Sequence, residues 1–567
     1  MEAVLHRAGL VPIILGVTGH RDVPLTDRSI LLDSIKSILD QFKAKYPSSP
    51  LLLISSLAEG ADRLAAQAAL NAGWLLGVSL PMIPEEFEKD FSGEKSIQEF
   101  RSLCESASWV RVDSLANRPQ CYVEASGWMA AHAQYLLALW DGQPNGGAGG
   151  TADTVRVFLE GVSSQRLTLP DSGPVMQLLT RRESSLGAVP EDQVGHVTIH
   201  APRPGGFSPE GELERWASIL DRIDDFNRDA CNALNLLPEQ IQKSRGYLNG
   251  GKPPEGIPPA AESASWLHAV ADQISFSTQK QRNRHFQWLI VGATMAIFFE
   301  LLYSGPFAYF WVIALALISG FAAIWAYRHG VGLRLENRYI DYRALAEACR
   351  VQYFWQLAEI LDSVADHYLK DQRDELEWIR QAVLTTELVS NHKPIQPADP
   401  EYRLQQVRDC WIEDQRQYFL GTSEQAGKAD FNARMNDRFD WWVLRLIVLG
   451  VGILVFLTLF HAVVAPALGD LGDNLIQALI VSYGMTFASA GLLKVYQETK
   501  TYSEQAQSYR RAGLSMSLAR NHLDASLQDR NWVRARAVIR EAGVQALDEN
   551  NDWLIVHRER PVKVPIS

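Results

Sequence analysis

Four stretches of this chain are apolar for about the length of a bilayer crossing, and no other feature limits its fold so strongly. They are FQWLIVGATMAIFFELLY (Phe286–Tyr303), FAYFWVIALALISGFAAIWAY (Phe307–Tyr327), WWVLRLIVLGVGILVFLTLFHAVV (Trp441–Val464) and LIQALIVSYGMTFASAGLLKVY (Leu475–Tyr496). A helix needs about 20 residues to cross roughly 30 Å of hydrocarbon. Core helices of soluble proteins rarely run so far without a polar stripe. Trp and Tyr gather at the ends of these runs, as amphipathic rings do at headgroup depth. All four read as membrane spans.

The spans pair into two hairpins. Ser304-Gly305-Pro306 joins the first pair without a charge, while Lys280, Arg282, Arg284, Arg328 and Arg334 flank its outer ends. The second hairpin has Arg434 and Arg438 before it, Lys500 after it, and Asp470 and Asp473 in its loop. Basic flanks stay on the cytosolic side, so both termini and the segment 328–440 are expected to be cytoplasmic. The hairpins also echo each other. NRHFQW (Asn283–Trp288) precedes one, NDRFDW (Asn436–Trp441) the other, and a polar helical stretch follows each. Such an echo reads as a duplicated two-span unit. Two charged residues lie inside the runs. Arg445 is near one end and long enough to snorkel to water, whereas the shorter Glu300 is the candidate for pore lining or interhelical pairing.

Charge and cysteine usage narrow the soluble partners. With 54 Lys and Arg against 66 Asp and Glu, the formal net charge is −12, which argues against a nucleic-acid binder and its basic face. Cys104, Cys121, Cys231, Cys349 and Cys410 lack metal-type spacing, so no metal site is read, and the set fits a reducing cytosol. The opening MEAVLHRAGLVPIILGVTGHR has no signal-peptide pattern. A chain of 567 residues calls for two or three folding units.

Residues 10–205 alternate short apolar runs with helical patterns. VPIILGV (Val11–Val17), PLLLISS (Pro50–Ser56), WLLGVSLP (Trp74–Pro81), SWVRVDS (Ser108–Ser114), YLLALWDG (Tyr135–Gly142) and HVTIHAPR (His196–Arg203) read as strands. Ile30, Leu31, Ile35, Ile38 and Leu39 read as the buried face of a helix starting near Asp27. Continuous apolar strands between helices predict an α/β, Rossmann-like parallel sheet covered on both faces.

Ligands of such sheets collect at the carboxyl ends of the strands. Thr18, Gly19, His20 and Arg21 follow the first strand, and Ser55, Ser56, Glu59, Gly60 and Asp62 the second. Asp141 and Gly142 open a glycine-rich loop, Gly146 to Gly150, which leads into a helix at Thr151. Glycines let main-chain N–H groups approach an anion, and the helix adds its positive end. Arg21 is a candidate for phosphate and equally a solvated loop residue. Glu59 and Asp62 are candidates for ribose hydroxyls, Glu59 being equally an acid at a helix start. His20 has no partner visible in the sequence.

The motifs GVTGHRD, LISSLAEGADRLAA, LPMIPEEFEKDF, YVEASGWMAAHAQYLLALWDG and GGTADTVRVF follow in that order over roughly residues 10–205. On them this third of the chain resembles the SLOG family, Rossmann-like domains related to the cytokinin-activating LOG enzymes and to the DNA-processing protein DprA. The two-span units and GVQALDENNDWLIVHRERP (Gly543–Pro561) are similar to SLATT-type membrane effectors of bacterial conflict systems. The resemblance implies a domain that binds a nucleotide or NAD-derived, including cyclic, signal and requires no cofactor. It further implies a homo-oligomeric part that opens a pore or disrupts the lipid bilayer of the cell inner membrane, in antiphage defence.

LOG enzymes carry PGGxGTxxE, whose Glu takes part in N-glycosidic hydrolysis. Here Thr154 stands in its place, with Asp153 one residue early. A hydroxyl cannot replace that carboxylate, so no catalytic residue is assigned, while anion binding by main-chain amides survives the change. A membrane-tethered nucleotide or NAD N-glycosidic hydrolase and a constitutive ion channel stay open as alternatives.

The expected order is a ligand-binding domain over 10–205, then a helical connector over 206–285 with a Pro/Gly linker at 249–260. A first hairpin over 286–327 leads to a cytosolic helical insert over 328–440, whose Tyr339, Tyr342, Tyr353, Phe354 and Trp355 are expected to pack helices together. A second hairpin over 441–496 and cytosolic helices over 497–567 complete the chain.

Overall fold

The computed structural model describes the chain apart from residues 1–8, 113–116, 145–146, 162–172, 203–207, 252–256, 306–308, 368–372, 389–398, 464–468 and 560–567. Gly146 of the glycine loop, Pro306, the middle of the linker at 249–260 and most of the interruption NHKPIQPADPE (Asn391–Glu401) lie outside the described residues.

Strands β1 (Ile13–Gly19), β2 (Leu51–Ser55), β3 (Leu75–Leu80), β4 (Trp109–Val112), β5 (Tyr135–Trp140), β6 (Val175–Leu179) and β7 (Val197–His200) form one sheet in the order β4-β3-β2-β1-β5-β6-β7. All neighbours are parallel except β6 and β7. The central strands are buried along almost their whole length, as a sheet covered on both faces requires. Because β1 pairs with both β2 and β5, chain order reverses there, and the loops leaving the two strands diverge to open a crevice.

Two features depart from the sequence reading. β6 was not legible, since VMQLL is a five-residue run broken by Gln177. β7 is antiparallel rather than parallel. It is an edge strand with Val197, Thr198 and Ile199 exposed, and an antiparallel return needs no crossover helix.

Helices α1 (Arg28–Lys45), α2 (Ala61–Asn71), α3 (Glu94–Ser106), α4 (Arg118–His132) and α5 (Thr151–Glu160) come between or after the parallel strands. In α1 the buried stripe is Leu31, Ile35, Ile38 and Leu39, as the periodicity requires. Ile30 turns outward instead, being about 100° around the helix from Leu31.

Further along come α6 (Pro209–Leu236), α7 (Pro238–Tyr247), α8 (Pro259–Ser304), α9 (Phe310–Gly332), α10 (Leu335–Leu357) and α11 (Arg373–Thr385). After them follow α12 (Pro400–Val407), α13 (Asp414–Leu420), α14 (Lys428–Val463), α15 (Asp470–Lys500), α16 (Tyr502–Gln528) and α17 (Trp532–Glu559). The chain divides into two compact units, residues 1–273 with 345–403 and residues 274–344 with 404–567.

In the first unit, α6 and α11 join the sheet, so part of the connector and of the insert folds with it. Asn227 of α6 accepts the Val11 amide at 2.8 Å and donates to the Val11 carbonyl at 2.7 Å. A side-chain amide here completes the hydrogen bonding of the chain entering β1. Tyr353, Phe354 and Trp355 are buried in this unit.

In the second unit, α8, α9, α14 and α15 are long and apolar enough to cross a membrane, the best stretches having mean hydropathies of 1.6, 2.0, 2.7 and 1.5. Their large apolar side chains face outward, among them Trp288, Phe310, Phe321, Val448 and Phe456. Such a surface is foreign to water and natural to lipid, which marks a multi-pass membrane protein.

The two hexapeptide echoes occupy equivalent places. Phe286 and Phe439 both pack on Tyr496, with ring centroids 5.8 and 5.5 Å away. Asn283 accepts from Lys500 Nζ at 2.9 Å, and Asn436 from Gln497 Nε2 at 2.8 Å. Each hairpin passes to the next helix through one left-handed residue, Arg334 at φ +51° and Thr501 at φ +48°. The Arg445 guanidinium lies 3.6 Å from the centroid of the Trp441 ring, one turn nearer the start of α14. Glu300 is exposed and accepts from Ser304 Oγ on its own helix at 3.2 Å.

Candidate functional site

The crevice between the β1 and β5 loops is a cleft of about 560 Å³. Its wall takes Thr18, Gly19, His20 and Arg21 from the end of β1, Ser56 and Asp62 from the β2–α2 turn, and Gly149, Gly150 and Thr151 from the start of α5. Three loops distant in sequence thus meet at one place because parallel strands end side by side.

The other five sequence-selected residues stand behind or beside this wall. Ser55 is fully buried, its hydroxyl accepting from the Leu57 amide at 3.0 Å. Glu59 accepts from the Ser92 amide at 2.7 Å and from the Ser92 hydroxyl at 2.8 Å, with Ser96 also on the same oxygen. Burial opposes its charge, but these donors, all on Oε1, hold the Glu59 carboxyl below its ordinary range. Gly60, at φ +81°, backs the β1 loop, where a Cβ would come 2.3 Å from the Arg21 carbonyl oxygen. Asp141 is buried against His20, and Gly142 borders a neighbouring cavity of about 520 Å³.

His20 does have a partner. Its Nε2 lies 3.0 Å from the Asp141 amide and 3.2 Å from the Asp141 carboxylate. One ring nitrogen cannot accept from the amide and donate to the carboxylate at once. Burial holds the imidazole below its ordinary pKa despite Asp141, so the neutral ring accepting the amide is the form that fits.

The glycine loop works differently from the sequence expectation. The Gly149 N–H donates to Asp153 Oδ2 at 2.9 Å, and the Gly150 N–H donates to the Gly147 carbonyl at 3.0 Å. Both amides are spent within the protein, because Asp153 reaches back one turn. Burial opposes the charge of Asp153, while the Gly149 amide and Arg156 hold its carboxyl below the usual range. The main-chain amides without a protein acceptor by position are instead those of the first turn of α5. There Thr151, Ala152 and Asp153 have no intrahelical acceptor by position, and Gly150 at the cap brings no side-chain bond. Thr154 lines the cleft with its hydroxyl tied to the Gly150 carbonyl at 3.0 Å, and Asp153 borders the neighbouring cavity instead.

Asp62 is the most perturbed group of the wall. It is 4% exposed, with Ser55 Oγ 3.5 Å away, and burial pushes its carboxyl up to about 7 against the pull of Arg21. The neutral acid, which can donate as well as accept, therefore persists well above the ordinary carboxylate range.

Asp22, which follows Arg21 in the loop the sequence pointed to, also lines the cleft, while sequence reasoning missed Arg118 and Tyr122 of α4, Asp90 and Arg182. Arg182 is aimed by its neighbour: Arg181 makes a buried pair with Asp27, Nε to Oδ2 2.8 Å, which anchors the chain leaving β6. Arg182 Nε then lies 3.2 Å from Asp22. No spacing rule links these residues. The available signals were that Asp22, Asp90 and Tyr122 fall in the motifs GVTGHRD, LPMIPEEFEKDF and YVEASGWMAAHAQYLLALWDG, and that Arg118 opens the helix entering β5. Among the described residues, no cluster of three His, Cys, Asp or Glu side chains is arranged to hold a metal ion.

Fold and cleft together define a class: a doubly wound α/β domain with a polar crevice at its switch point, on a chain with four helices of membrane-crossing length. Comparison of the sequence with family models and with curated proteins finds no match.

Proposed function

We propose that the cleft binds a phosphate-bearing nucleotide or NAD-derived signal and that this binding controls a pore or lesion formed by the membrane helices. One observation carries the reading: nine residues chosen from three separate loops line a single cleft at the switch point. Phosphate suits the first turn of α5, whose amides and dipole favour an anion, and Arg21, Arg118 and Arg182 supply charge around it. Four helices per chain are few for a conduit, so the active form is a homo-oligomer in the inner membrane, both termini cytoplasmic. The resemblance to SLOG and SLATT domains makes antiphage defence its setting. A ligand controls such a device only by binding one conformation better than the other.

The test uses the full chain in detergent and in liposomes. Calorimetric titration against linear and cyclic adenine nucleotides, NAD and ADP-ribose should find a binder, and that compound should release entrapped dye from the liposomes. No heat from any compound removes the sensor half of the reading. Leakage of equal rate without ligand favours a constitutive channel.

A second reading, hydrolysis of an N-glycosidic bond, is favoured by Asp62 alone. A buried carboxyl near pH 7 in a cleft is suited to proton transfer. Release of free base by the full chain, abolished in Asp62→Asn, would support it.

A further inference from the structure

Asp90 lies at the end of the short turn after β3, and three groups of the cleft wall converge on its carboxylate. Arg118 Nη2 donates to Oδ1, the Tyr122 hydroxyl donates to Oδ2, and Arg21 Nη1 lies 3.9 Å from Oδ2. Two guanidiniums and a phenol around one small anion form a seat of the kind that phosphate oxygens take. The seat adjoins the start of α5. A Cβ on Gly149 would come within 2.6 Å of the Tyr122 main chain, so the loop leading into α5 and the clasp on α4 are in contact. Both face the same cleft.

We propose that the Arg21–Arg118–Tyr122 clasp is a second anion seat of the cleft, occupied in this structure by the protein's own Asp90 carboxylate. The ligand class that follows is one with two linked anionic groups, a diphosphate being the simplest. This inference rests on the reading of the cleft as an anion site.

Energetics favour exchange. Arg21 and Arg118 are 43% and 41% exposed, and ion pairs so open to water are weak. A terminal phosphate, as in pyrophosphate, offers three free oxygens and more charge than a carboxylate, so it competes well for the same donors. Glu86 also faces Arg118, at 4.0 Å, and the Glu86 carbonyl accepts from it at 3.3 Å, so the arginine stays oriented when Asp90 leaves. Asp22 is different. Its carboxylate is held by the Ser184 amide and hydroxyl as well as by Arg182, which makes it a fixture of the wall rather than a plug.

An internal competitor lowers apparent affinity by the fraction of time it fills the seat. Titrating the full chain in detergent with inorganic pyrophosphate and with ADP-ribose tests this. Asp90→Asn should bind pyrophosphate about tenfold more tightly than the parent if the plug is in place about nine-tenths of the time. Adding Arg118→Gln should cancel the gain. Glu124→Gln, an exposed acid on α4 outside the cleft wall, should change nothing, which separates the effect from net charge.

A parent chain that binds pyrophosphate while Asp90→Asn binds equally or less well overturns the inference and leaves the proposed function standing. Failure of parent and variant alike to bind either probe overturns the inference, and the proposed function falls with it when no nucleotide of the panel above gives heat. Amide exchange in the unsubstituted chain gives an independent check. The Phe91 amide, bonded to the Glu88 carbonyl at 3.2 Å, should exchange faster with pyrophosphate bound, and unchanged or slower exchange counts against the plug.

Discussion

In the sheet unit, Leu53 and Leu137 have no exposure and the polar groups stand at the strand ends. In the hairpin unit, Val448 and Phe456 face outward at 61% and 54% exposure, and polar contacts such as Asn283–Lys500 and Asn436–Gln497 gather where spans begin and end. The same physical rule produces both patterns. A strand covered on both faces and a helix in lipid each exclude uncompensated polar groups along their length. Specific chemistry is therefore pushed to the ends, into loops in one unit and hairpin bases in the other. The difference lies in the medium that meets the apolar surface: packed side chains in the sheet, lipid around the spans.

The same substitution in both units tests that difference hardest. Leu53→Asp puts a charge in the centre of β2 and should abolish folding of the sheet unit, a loss of roughly 3 kcal/mol or more. Leu454→Asp lies on an exposed face of α14, at 42% exposure. In a water-soluble protein it would be close to neutral, within about 0.5 kcal/mol. In a membrane span it should cost about 3 kcal/mol and deplete the chain from the membrane fraction. Normal membrane recovery and an unchanged melting temperature for Leu454→Asp would break the comparison.

Apolar runs and their periodicity were legible in the sequence because each reports one medium over many residues. That is why the four spans, the parallel core and the place of the cleft could be anticipated. β6 and the direction of β7 could not, since β6 is a five-residue run broken by Gln177 and β7 is a short, half-wet edge strand whose pattern does not report its direction. At the cleft, strand ends pointed to Thr18–Arg21, Asp62 and Thr151. Arg118 and Tyr122, Asp90, and Arg182 come from three other segments and meet only through the sheet topology. The partners of Glu59, Gly149 and Gly150 were hidden for a related reason: hydrogen bonds that consume a polar group are properties of the folded loop, not of spacing.

Asp62 sharpens the comparison at intermediate size, because it is a polar group at a strand-end loop that burial has pushed away from its ordinary state. Its pKa is raised on folding, so the folded chain favours the neutral acid. The penalty is absent well below the ordinary carboxylate range, grows as pH rises from about 4 toward about 7, and is complete above that. Asp62→Asn should therefore stabilise the chain more at pH 8 than at pH 5. Binding of a diphosphate diester, whose own charge is constant in this range, should weaken roughly tenfold between pH 6 and 8 in the parent as Asp62 ionises, and stay flat in Asp62→Asn. Equal pH profiles for the two proteins, by calorimetry with ADP-ribose, would remove Asp62 from the account.

The smallest expected effect concerns the hairpin bases. Phe286 and Phe439 are counterparts in the repeated hexapeptide and share Tyr496, but their surroundings differ in one respect. Phe439 also stacks on Tyr502, centroid to centroid 5.6 Å at 16°. An aromatic pair contributes about 0.5–1.5 kcal/mol beyond the area it buries. Phe286→Leu removes one such pair and Phe439→Leu removes two. Both should lower the melting temperature of the detergent-solubilised chain, the second by more, with the gap near 1 kcal/mol. Replacing Tyr502 by Leu should then make the two Phe substitutions equal, because the extra partner is gone. If Phe286→Leu proves the more damaging in the parent, the bases of the hairpins are held by something other than these rings, and the likeness between the two echoes stops at sequence.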